Sequence, residues 1–159
     1  MIKMIVCTDI NGGIGRENDL LFNIKEDMKF FRETTTGHKV VMGYNTWLSL
    51  PKKPLPNREN YVLYDGDEDI EGATVLRNIE EVFELGKIYD IFIIGGAMVY
   101  NSIIQSGMLD EAYITHVFKN GNADVFIDYK ALRRVLPFGE FIKDISTEDL
   151  QVQIIKLHK

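Results

Sequence analysis

The chain has a single cysteine, no long apolar run and fewer basic than acidic residues, and each shortage excludes a class of protein. Cys7 has no partner for an intrachain disulfide, and one thiol cannot form a metal–thiolate cluster. No stretch has membrane-spanning length, and the first residues do not have the shape of a signal peptide. A formal charge of −6 argues against non-specific nucleic-acid binding. We therefore expect a protein of the reducing cytoplasm, with neither a membrane nor a nucleic acid as partner.

The composition is that of one globular domain. The chain has 159 residues, 45% of them hydrophobic and 26% charged, and is long enough to bury most of its unfolded surface. Short Ile- and Val-rich runs predict buried strands at residues 1–8, 38–43, 60–64, 74–76, 91–94 and 112–118, and alternation predicts an edge-hairpin strand at 150–157. Helical spacing predicts helices at residues 23–36, 44–50, 79–85 and 97–106. Strands separated by helices indicate an α/β sheet with helices on both faces.

The predicted helix at 23–36 carries an acidic residue on its apolar side. Four residues at helical spacing share one face: Ile24, Asp27, Met28 and Phe31. Asn23 is the predicted N-cap and Glu26 its capping-box partner, so Asp27 is not needed as a cap. An unpaired buried carboxylate is costly, so such a group has a partner or takes part in chemistry. The alternative is a slightly rotated face with Asp27 in solvent, and the pattern alone does not choose between them.

Two predicted junctions between a strand and a helix carry glycine. Gly43 precedes the helix at 44–50, and Gly95 and Gly96 precede the helix at 97–106. Free N–H groups at a helix start can bind a phosphate, and glycine allows a close approach. The spacing is neither the dinucleotide fingerprint nor a P-loop. An ordinary strand-to-helix turn is the alternative, above all at Gly43.

Two loops are also candidates for function. Residues 9–21 contain three glycines, which is typical of a lid over a pocket or of a plain connector. The proline-rich segment 51–60 contains Arg58, whose guanidinium suits a carboxylate, although a solvated basic loop is the alternative. The three histidines are far apart in sequence and have no supporting Cys or Asp pattern, which argues against a metal site.

Seven short motifs occur in an order and spacing that resembles the dihydrofolate reductase family. They are IGxEN at 14–18, NIxxDMxxF at 23–31, VVMGxxTWxSL at 40–50, PLPxRxN at 54–60, IIGGAxVY at 93–100, YITH at 113–116 and DxF at 124–126. Each motif is weak alone, but together they span almost the whole chain. The chain is similar to the single-domain, bacterial type of this family.

The resemblance implies a fold and a reaction. The fold is α/β and dihydrofolate reductase-like: one domain over residues 1–159, in which a central, mostly parallel twisted sheet ends in an antiparallel C-terminal edge hairpin. The reaction is the NADPH-dependent reduction of 7,8-dihydrofolate to 5,6,7,8-tetrahydrofolate, with hydride going to C6 and a proton to N5. It supports one-carbon metabolism and thymidylate synthesis. The resemblance further implies a monomer without a metal, whose substrate pocket binds antifolate inhibitors.

The resemblance also implies catalytic roles for Asp27, Thr115, Leu20 and Phe22. Asp27 matches the carboxylate that binds the pterin, and Thr115 matches the hydroxyl that supports this carboxylate. Leu20 matches the lid residue that closes over the nicotinamide, and Phe22 lies at the pterin beside it. Asp124 matches the residue that braces the closed lid.

Binding positions follow from the same resemblance. Arg58 matches the arginine that binds the α-carboxylate of the glutamate tail. Besides Asp27 and Thr115, the other substrate positions are largely apolar: Ile5, Cys7, Met28, Phe31, Leu50, Leu55 and Ile94. The cofactor positions are Cys7, Ile14, Gly15, Asn18, Leu20, Gly43, Tyr44, Asn45, Thr46, Leu63, Tyr64, Asp65, Arg77, Ile94, Gly95, Gly96, Ala97, Met98, Val99 and Tyr100.

Four positions depart from the family's common pattern. Phe22 replaces a tryptophan whose indole orders a water near the pterin, and Leu21 replaces a lid proline. Tyr44 stands where a basic residue meets the cofactor phosphates. Asp65 lies near the 2′-phosphate site, where a carboxylate would repel that group. We predict a weakened preference for NADPH over NADH, unless Arg77 supplies the missing positive charge.

Two other functions are open on the sequence. The reductase of riboflavin biosynthesis has the same fold and uses NADPH on a pteridine-like ring, but it lacks the Asp27 helix motif in this form. A non-catalytic folate- or nucleotide-binding module would be consistent with the departures at Phe22 and Asp65. The intact Asp27, Thr115 and Arg58 favour a dihydrofolate-reducing enzyme.

Overall fold

The computed structural model describes all residues from Met1 to Lys159. It has ten strands: β1 (Ile2–Thr8), β2 (Gly13–Gly15), β3 (Lys39–Gly43), β4 (Glu59–Leu63), β5 (Thr74–Leu76), β6 (Ile91–Ile93), β7 (Glu111–Val117), β8 (Val125–Phe126), β9 (Phe138–Asp144) and β10 (Val152–His158). Its five helices are α1 (Lys25–Thr35), α2 (Tyr44–Ser49), α3 (Ile79–Ile88), α4 (Ala97–Ser106) and α5 (Tyr129–Val135). None of these helices combines the length and the hydropathy needed to span a membrane.

Eight strands form one sheet in the order β5-β4-β3-β6-β1-β7-β10-β9, and β2 pairs with β8 separately. All neighbours from β5 to β7 are parallel, whereas β7, β10 and β9 run antiparallel. This confirms the predicted mostly parallel sheet with an antiparallel C-terminal hairpin at its edge. The outermost strand of the hairpin is β9, and β10 lies inside because it hydrogen-bonds on both of its sides.

Strand β1 lies between β6 and β7 and is covered on both faces. Met4 and Val6 belong to the larger buried cluster, which includes residues of α3, α4 and α5. Ile5 belongs to a second cluster on the opposite face, together with Trp47 of α2. Successive side chains of a strand point to opposite faces, so burial on both faces requires the continuous apolar run that this segment has. The prediction of helices on both faces is confirmed.

The carboxyl ends of the parallel strands meet at one edge of the sheet. Strand β3 leads directly into α2, and β6 leads through Gly95 and Gly96 into α4, so both helix N-termini lie at this edge. The loop after β1 crosses the same edge before α1 begins. Ligands of open parallel sheets bind outside the carboxyl ends of the strands. The fold therefore places the predicted Asp27 helix, the glycine junctions and the glycine-bearing loop at one edge of the sheet, which we call the cleft.

Several local predictions differ from the structure. Helix α1 begins at Lys25 after Ile24, which has extended backbone angles and makes no side-chain cap hydrogen bond. The assignments of Asn23 as N-cap and of Glu26 as capping-box partner are therefore wrong, because Asn23 lies one residue too early. Helix α3 runs to Ile88, beyond its predicted end at residue 85. Strands β2, β8 and β9 and helix α5 were not predicted. The two short strands and the short helix carry little periodicity, and every residue of β9 is exposed, so β9 has no buried face to mark it.

Candidate active site

Asp27 lies in the first turn of α1 with its carboxylate directed at the sheet. Thr115, in the middle of β7 and 2% exposed, donates a hydrogen bond from Oγ1 to Asp27 Oδ1 at 2.5 Å. No ion pair of the chain includes Asp27, and its neighbours Lys25 and Lys29 are exposed. Of the two interpretations of the helix pattern, the partnered, half-buried carboxylate is the correct one.

The surroundings of Asp27 make its charged form more costly than it is in water. Burial raises the pKa of Asp27 above its ordinary value, and hydrogen bonds from Thr115 and Cys7 oppose this shift only in part. Cys7 is the neighbour of Thr115 across the β1–β7 pair. Burial and the nearby charge of Asp27 raise the pKa of Cys7, so the thiol keeps its proton near neutral pH. Thr115 of β7 thus holds the carboxylate at the cleft, with the Cys7 thiol of the adjacent strand β1 beside it.

Replacing Asp27 with asparagine is expected to stabilise the free protein near neutral pH. Because the pKa of Asp27 is raised in the folded state, folding loses stability as pH rises from the ordinary carboxyl pKa to the raised one. Asparagine carries no charge and avoids this loss. We expect Asp27→Asn to have a higher urea midpoint than the wild type near pH 7, and the difference to shrink below about pH 4. A lower midpoint for Asp27→Asn near pH 7 would contradict the burial of this charge.

Apolar side chains form the wall of the cleft beside Asp27. Ile5 is buried in the second cluster, and four partly exposed residues pack against that cluster: Phe31, Leu50, Leu55 and Ile94. Met28 is 54% exposed, so its placement on the buried face is wrong. The buried side of α1 includes Phe30 as well as Phe31, and both pack against the second cluster. The structure brings most of the predicted apolar substrate positions together, but Met28 is exposed and Cys7 packs against a different cluster.

Arg58 lies at the far end of the same wall. Its Nε donates to Pro56 O at 2.9 Å and its Nη1 donates to Thr35 Oγ1 at 3.1 Å. Its guanidinium carbon is 5.9 Å from the ring centre of Phe31, and no carboxylate pairs with it. Burial and the nearby positive charge of Arg32 lower the pKa of Arg58. This end of the cleft is therefore electropositive. Arg32 contributes to this positive charge, although the sequence analysis did not predict it as a site residue.

The two glycine junctions are joined to each other. Gly43 N donates to Gly95 O at 2.9 Å. A methyl group on either Gly95 or Gly96 would lie 3.4 Å from Thr46 Oγ1, and Gly95 has a φ of +131°, which disfavours any other residue. The first turn of α4 has no side-chain cap, which leaves its N–H groups free for a ligand. A diphosphate fits this arrangement of glycine, hydroxyl and helix-end amides.

Tyr100 supports this junction from below. The side chain is buried, and its hydroxyl donates to Ile5 O at 2.7 Å. Burial raises the pKa of Tyr100, so the phenol stays protonated. Its ring lies against Gly95, with Cε2 3.7 Å from the position that a Cβ on Gly95 would occupy. Tyr100 therefore packs beneath Gly95 and fixes it relative to β1 through the hydrogen bond to Ile5 O.

The glycine-bearing loop is held by the segment that follows β7. The pairing of β2 with β8 joins Gly13 to Phe126 and Gly15 to Val125. Glu17 N donates to Asp124 Oδ2 at 2.9 Å, which is the contact expected of a bracing residue. Leu20 is 71% exposed. We call residues 9–22 the lid and residues 118–124 the bracing loop.

The end of the cleft near Tyr44 is aromatic and poor in positive charge. The rings of Tyr44 and Tyr64 lie 4.4 Å apart, between the start of α2 and the end of β4. Asp65 is exposed and forms no ion pair. The guanidinium of Arg77 donates to the backbone carbonyls of residues 66–68. In this structure Arg77 therefore faces the acidic loop.

One buried carboxylate of the lid was missed by sequence reasoning. Asp9 is 1% exposed and accepts hydrogen bonds only from backbone N–H groups. The available signal was its position, since an acidic residue stands directly between a buried strand and an Asn-Gly turn. The partner from the bracing loop is far away in sequence, so no local pattern could reveal it.

Comparison with known proteins agrees with this geometry. A family model described as dihydrofolate reductase matches residues 1–135. The chain is 41% identical over 104 residues to the dihydrofolate reductase of Ureaplasma parvum, a match that covers 64% of this chain and 66% of that protein. It is 32% identical over 126 residues to the Bacillus subtilis dihydrofolate reductase, covering 78% and 73% of the two chains.

A solved structure gives the same result. The structure of dihydrofolate reductase from Enterococcus faecalis, complexed with NADP(H) and RAB-propyl, has a TM-score of 0.82 at 27% identity. The match covers 99% of this chain and 95% of that one. The family model spans most of the residues, and Asp27, Arg58 and the two glycine junctions lie around the cleft. The chain therefore belongs to the dihydrofolate reductase family.

Proposed function

We propose that this chain reduces 7,8-dihydrofolate to 5,6,7,8-tetrahydrofolate with NADPH, as a monomeric, single-domain cytoplasmic enzyme that serves one-carbon metabolism. The observation that carries this proposal is the half-buried Asp27 carboxylate, held by Thr115 on an apolar wall. Membership of the dihydrofolate reductase family supports the same reaction. The substrate pocket is also where antifolate inhibitors bind.

Asp27 recognises the pterin by accepting two N–H groups, one from the ring amide and one from the 2-amino group. Such charge-assisted hydrogen bonds are about twice as strong as neutral ones, and two of them fix the orientation of the ring. Thr115 Oγ1 already occupies one lone pair of Oδ1, so the carboxylate is positioned before substrate arrives. This preorganisation favours the productive orientation of C6 and N5.

The same carboxylate assists protonation of N5. A negative charge beside the pterin stabilises positive charge that develops on the ring, and it does so strongly because the apolar walls exclude water. The proton itself comes from solvent near N5. Phe22 has no hydrogen-bond donor and cannot hold that water in the way an indole would. A backbone group or a different water must orient the proton donor here.

The remaining parts of the site bind the two ends of the ligands. Arg58 holds the α-carboxylate of the glutamate tail with its free guanidinium N–H groups. The α4 amides, Gly95, Gly96 and Thr46 hold the cofactor diphosphate, and Leu20 covers the nicotinamide when the lid is closed. NADPH supplies the hydride that dihydrofolate needs at C6. No protein nucleophile is required.

The preference for NADPH over NADH is expected to be weak. Recognition of a 2′-phosphate requires positive charge, but Tyr44 and Asp65 stand near that end and Arg77 is bound to backbone carbonyls. We expect kcat/KM for the two cofactors to differ by less than about tenfold, the effect of one weak charged contact. Steady-state kinetics with both cofactors at one ionic strength would measure this. A preference for NADPH of a hundredfold or more would show that positive charge reaches the phosphate after all.

Oxidation of NADPH by the purified protein tests the proposed function against its alternatives. We expect oxidation with dihydrofolate and none with the pyrimidine substrate of riboflavin biosynthesis, because Asp27 and Thr115 suit a pterin amide. Tight binding of dihydrofolate without turnover would instead support a binding module. Turnover of the pyrimidine alone would assign the chain to the riboflavin reductase type.

A further inference from the structure

Asp9 is a buried carboxylate that the proposed reaction does not use. It follows the last residue of β1 and is 1% exposed. Its Oδ1 accepts from Asn11 N and from Gly13 N, each at 2.8 Å, and its Oδ2 accepts from Gly121 N at 3.0 Å. No ion pair of the chain includes Asp9. Three N–H donors therefore compensate the burial of this charge without any cation.

The two oxygens of Asp9 bind different parts of the molecule. Oδ1 shapes the turn at the start of the lid, whereas Oδ2 binds the bracing loop. Gly121 of the bracing loop contacts both ends of the lid. Its N–H binds Asp9, and a Cβ at this position would lie 2.9 Å from Leu21 Cδ1 and 3.1 Å from Phe22 Cζ. The contact with Asp9 therefore fixes the surface against which Leu21 and Phe22 pack.

Other hydrogen bonds run between the same two loops, but none of them is made by a buried side chain. Ile10 N donates to Lys119 O at 3.2 Å, and Asp124 N donates to Gly15 O at 2.9 Å. Glu17 N donates to the Asp124 carboxylate in an exposed position, where water competes for both groups. The bond from Gly13 N to Asp9 is buried, and a methyl group on Gly13 would overlap Ala123 Cβ at 2.4 Å. Asp9 is thus the one buried side chain that hydrogen-bonds the bracing loop from the lid, close to where Gly13 packs against Ala123.

We propose that Asp9 is a positioning residue that holds the lid against the bracing loop and so sets the closed arrangement in which dihydrofolate is reduced. Only the second half of this proposal, that Asp9 sets the closed arrangement for reduction, rests on the proposed function. The first half, that Asp9 holds the lid, does not. Holding the lid is a property of the free protein, and it can be measured without substrate.

Hydrogen exchange of the free protein tests the first half. In the wild type we expect the Gly121 amide to exchange slowly although it lies in a loop, because its only partner is a buried carboxylate. In Asp9→Ser the hydroxyl can still accept from Asn11 N, but it is too short to reach Gly121. We expect Gly121 exchange to speed up by at least about tenfold in Asp9→Ser and in Asp9→Asn. Asp110→Asn is the matched control, since Asp110 Oδ2 accepts from Ile2 N at the opposite end of β1.

Single-turnover kinetics tests the second half. We expect the single-turnover rate of hydride transfer to fall about tenfold in both Asp9 variants. The KM for dihydrofolate, from steady-state kinetics, should change by less than about threefold. Asp110→Asn should keep the wild-type rate. A purely structural residue would lower the unfolding midpoint and leave the hydride step unchanged.

Three results would overturn the proposal. The first is fast exchange of the Gly121 amide in the wild type, a result that requires no variant to fold. The second is unchanged exchange in both Asp9 variants. The third is faster exchange with an unchanged hydride rate, which would reduce Asp9 to a structural role. A wild type that is inactive with dihydrofolate would instead refute the proposed function, and the exchange data would still decide whether Asp9 holds the lid.

Discussion

Asp27→Asn is expected to lower turnover with dihydrofolate by about 10²–10³-fold near neutral pH, which lies within the usual range for loss of a residue that assists proton transfer. Asparagine keeps the volume of the side chain and can still accept the hydrogen bond from Thr115. It cannot accept two N–H groups of the pterin, and it removes the negative charge that favours protonation at N5. Steady-state oxidation of NADPH over a range of pH measures the effect.

The pH dependence of this loss identifies its cause. As pH falls, an increasing fraction of dihydrofolate is protonated in solution, so the variant should recover relative to the wild type. Glu26→Gln is the matched control, because Glu26 is the preceding residue of α1 and is exposed. It should behave as the wild type. An equal rate for Asp27→Asn and wild type near neutral pH would show that Asp27 takes no part in the reaction. A loss of rate that does not change with pH would show that Asp27 does not assist protonation of N5.

Arg58→Gln is expected to raise KM for dihydrofolate about a hundredfold with kcat changed by less than about threefold. Loss of one partner of a close charge pair costs roughly 2–5 kcal/mol, and 1.4 kcal/mol corresponds to a factor of ten. The α-carboxylate lies far from C6 and N5, so its contact contributes equally to the ground state and the transition state. Initial rates over a range of dihydrofolate concentrations measure both constants.

A substrate without the glutamate tail gives the internal control for Arg58. Wild type and Arg58→Gln should reduce a tail-less dihydropterin with the same kcat/KM, because that substrate has no carboxylate to lose. Lys52→Gln, an exposed residue of the same segment, should leave KM for dihydrofolate unchanged. A similar rise of KM for both substrates would mean that Arg58 maintains the wall near Phe31 and Thr35 and does not bind the tail.

The sequence predicted those parts of the fold that depend on local periodicity. Apolar runs located the strands of the parallel sheet, and helical spacing placed Asp27 on a face with Phe31. Helical spacing could not say whether that face was rotated toward solvent. The answer depended on Thr115, which lies 88 residues further along the chain and donates to Asp27. The match of both residues to a family motif supplied what periodicity could not.

Contacts that join distant segments were beyond local patterns. Gly121 N binds Asp9 across 112 residues, so nothing near Asp9 indicated its burial. The direction of Arg77 depended on the free carbonyls of an acidic loop, which sequence alone presents as solvated. The cap of α1 was wrong by one residue, because the backbone at Ile24 is still extended. For Asp9 and Arg77 the deciding contacts are made with distant segments, and for α1 the local capping preference was too weak to fix the first residue of the helix.

Transfer of a label from cofactor to substrate tests the proposed reaction most directly. NADPH that carries deuterium at C4 of the nicotinamide, on the face from which hydride leaves, should yield tetrahydrofolate with one deuterium at C6 and none at N5 after exchange with water. Mass spectrometry and proton NMR of the product would locate it, with Asp27→Asn near neutral pH as the slow control. Absence of deuterium at C6, or consumption of NADPH that does not depend on dihydrofolate, would contradict the assignment.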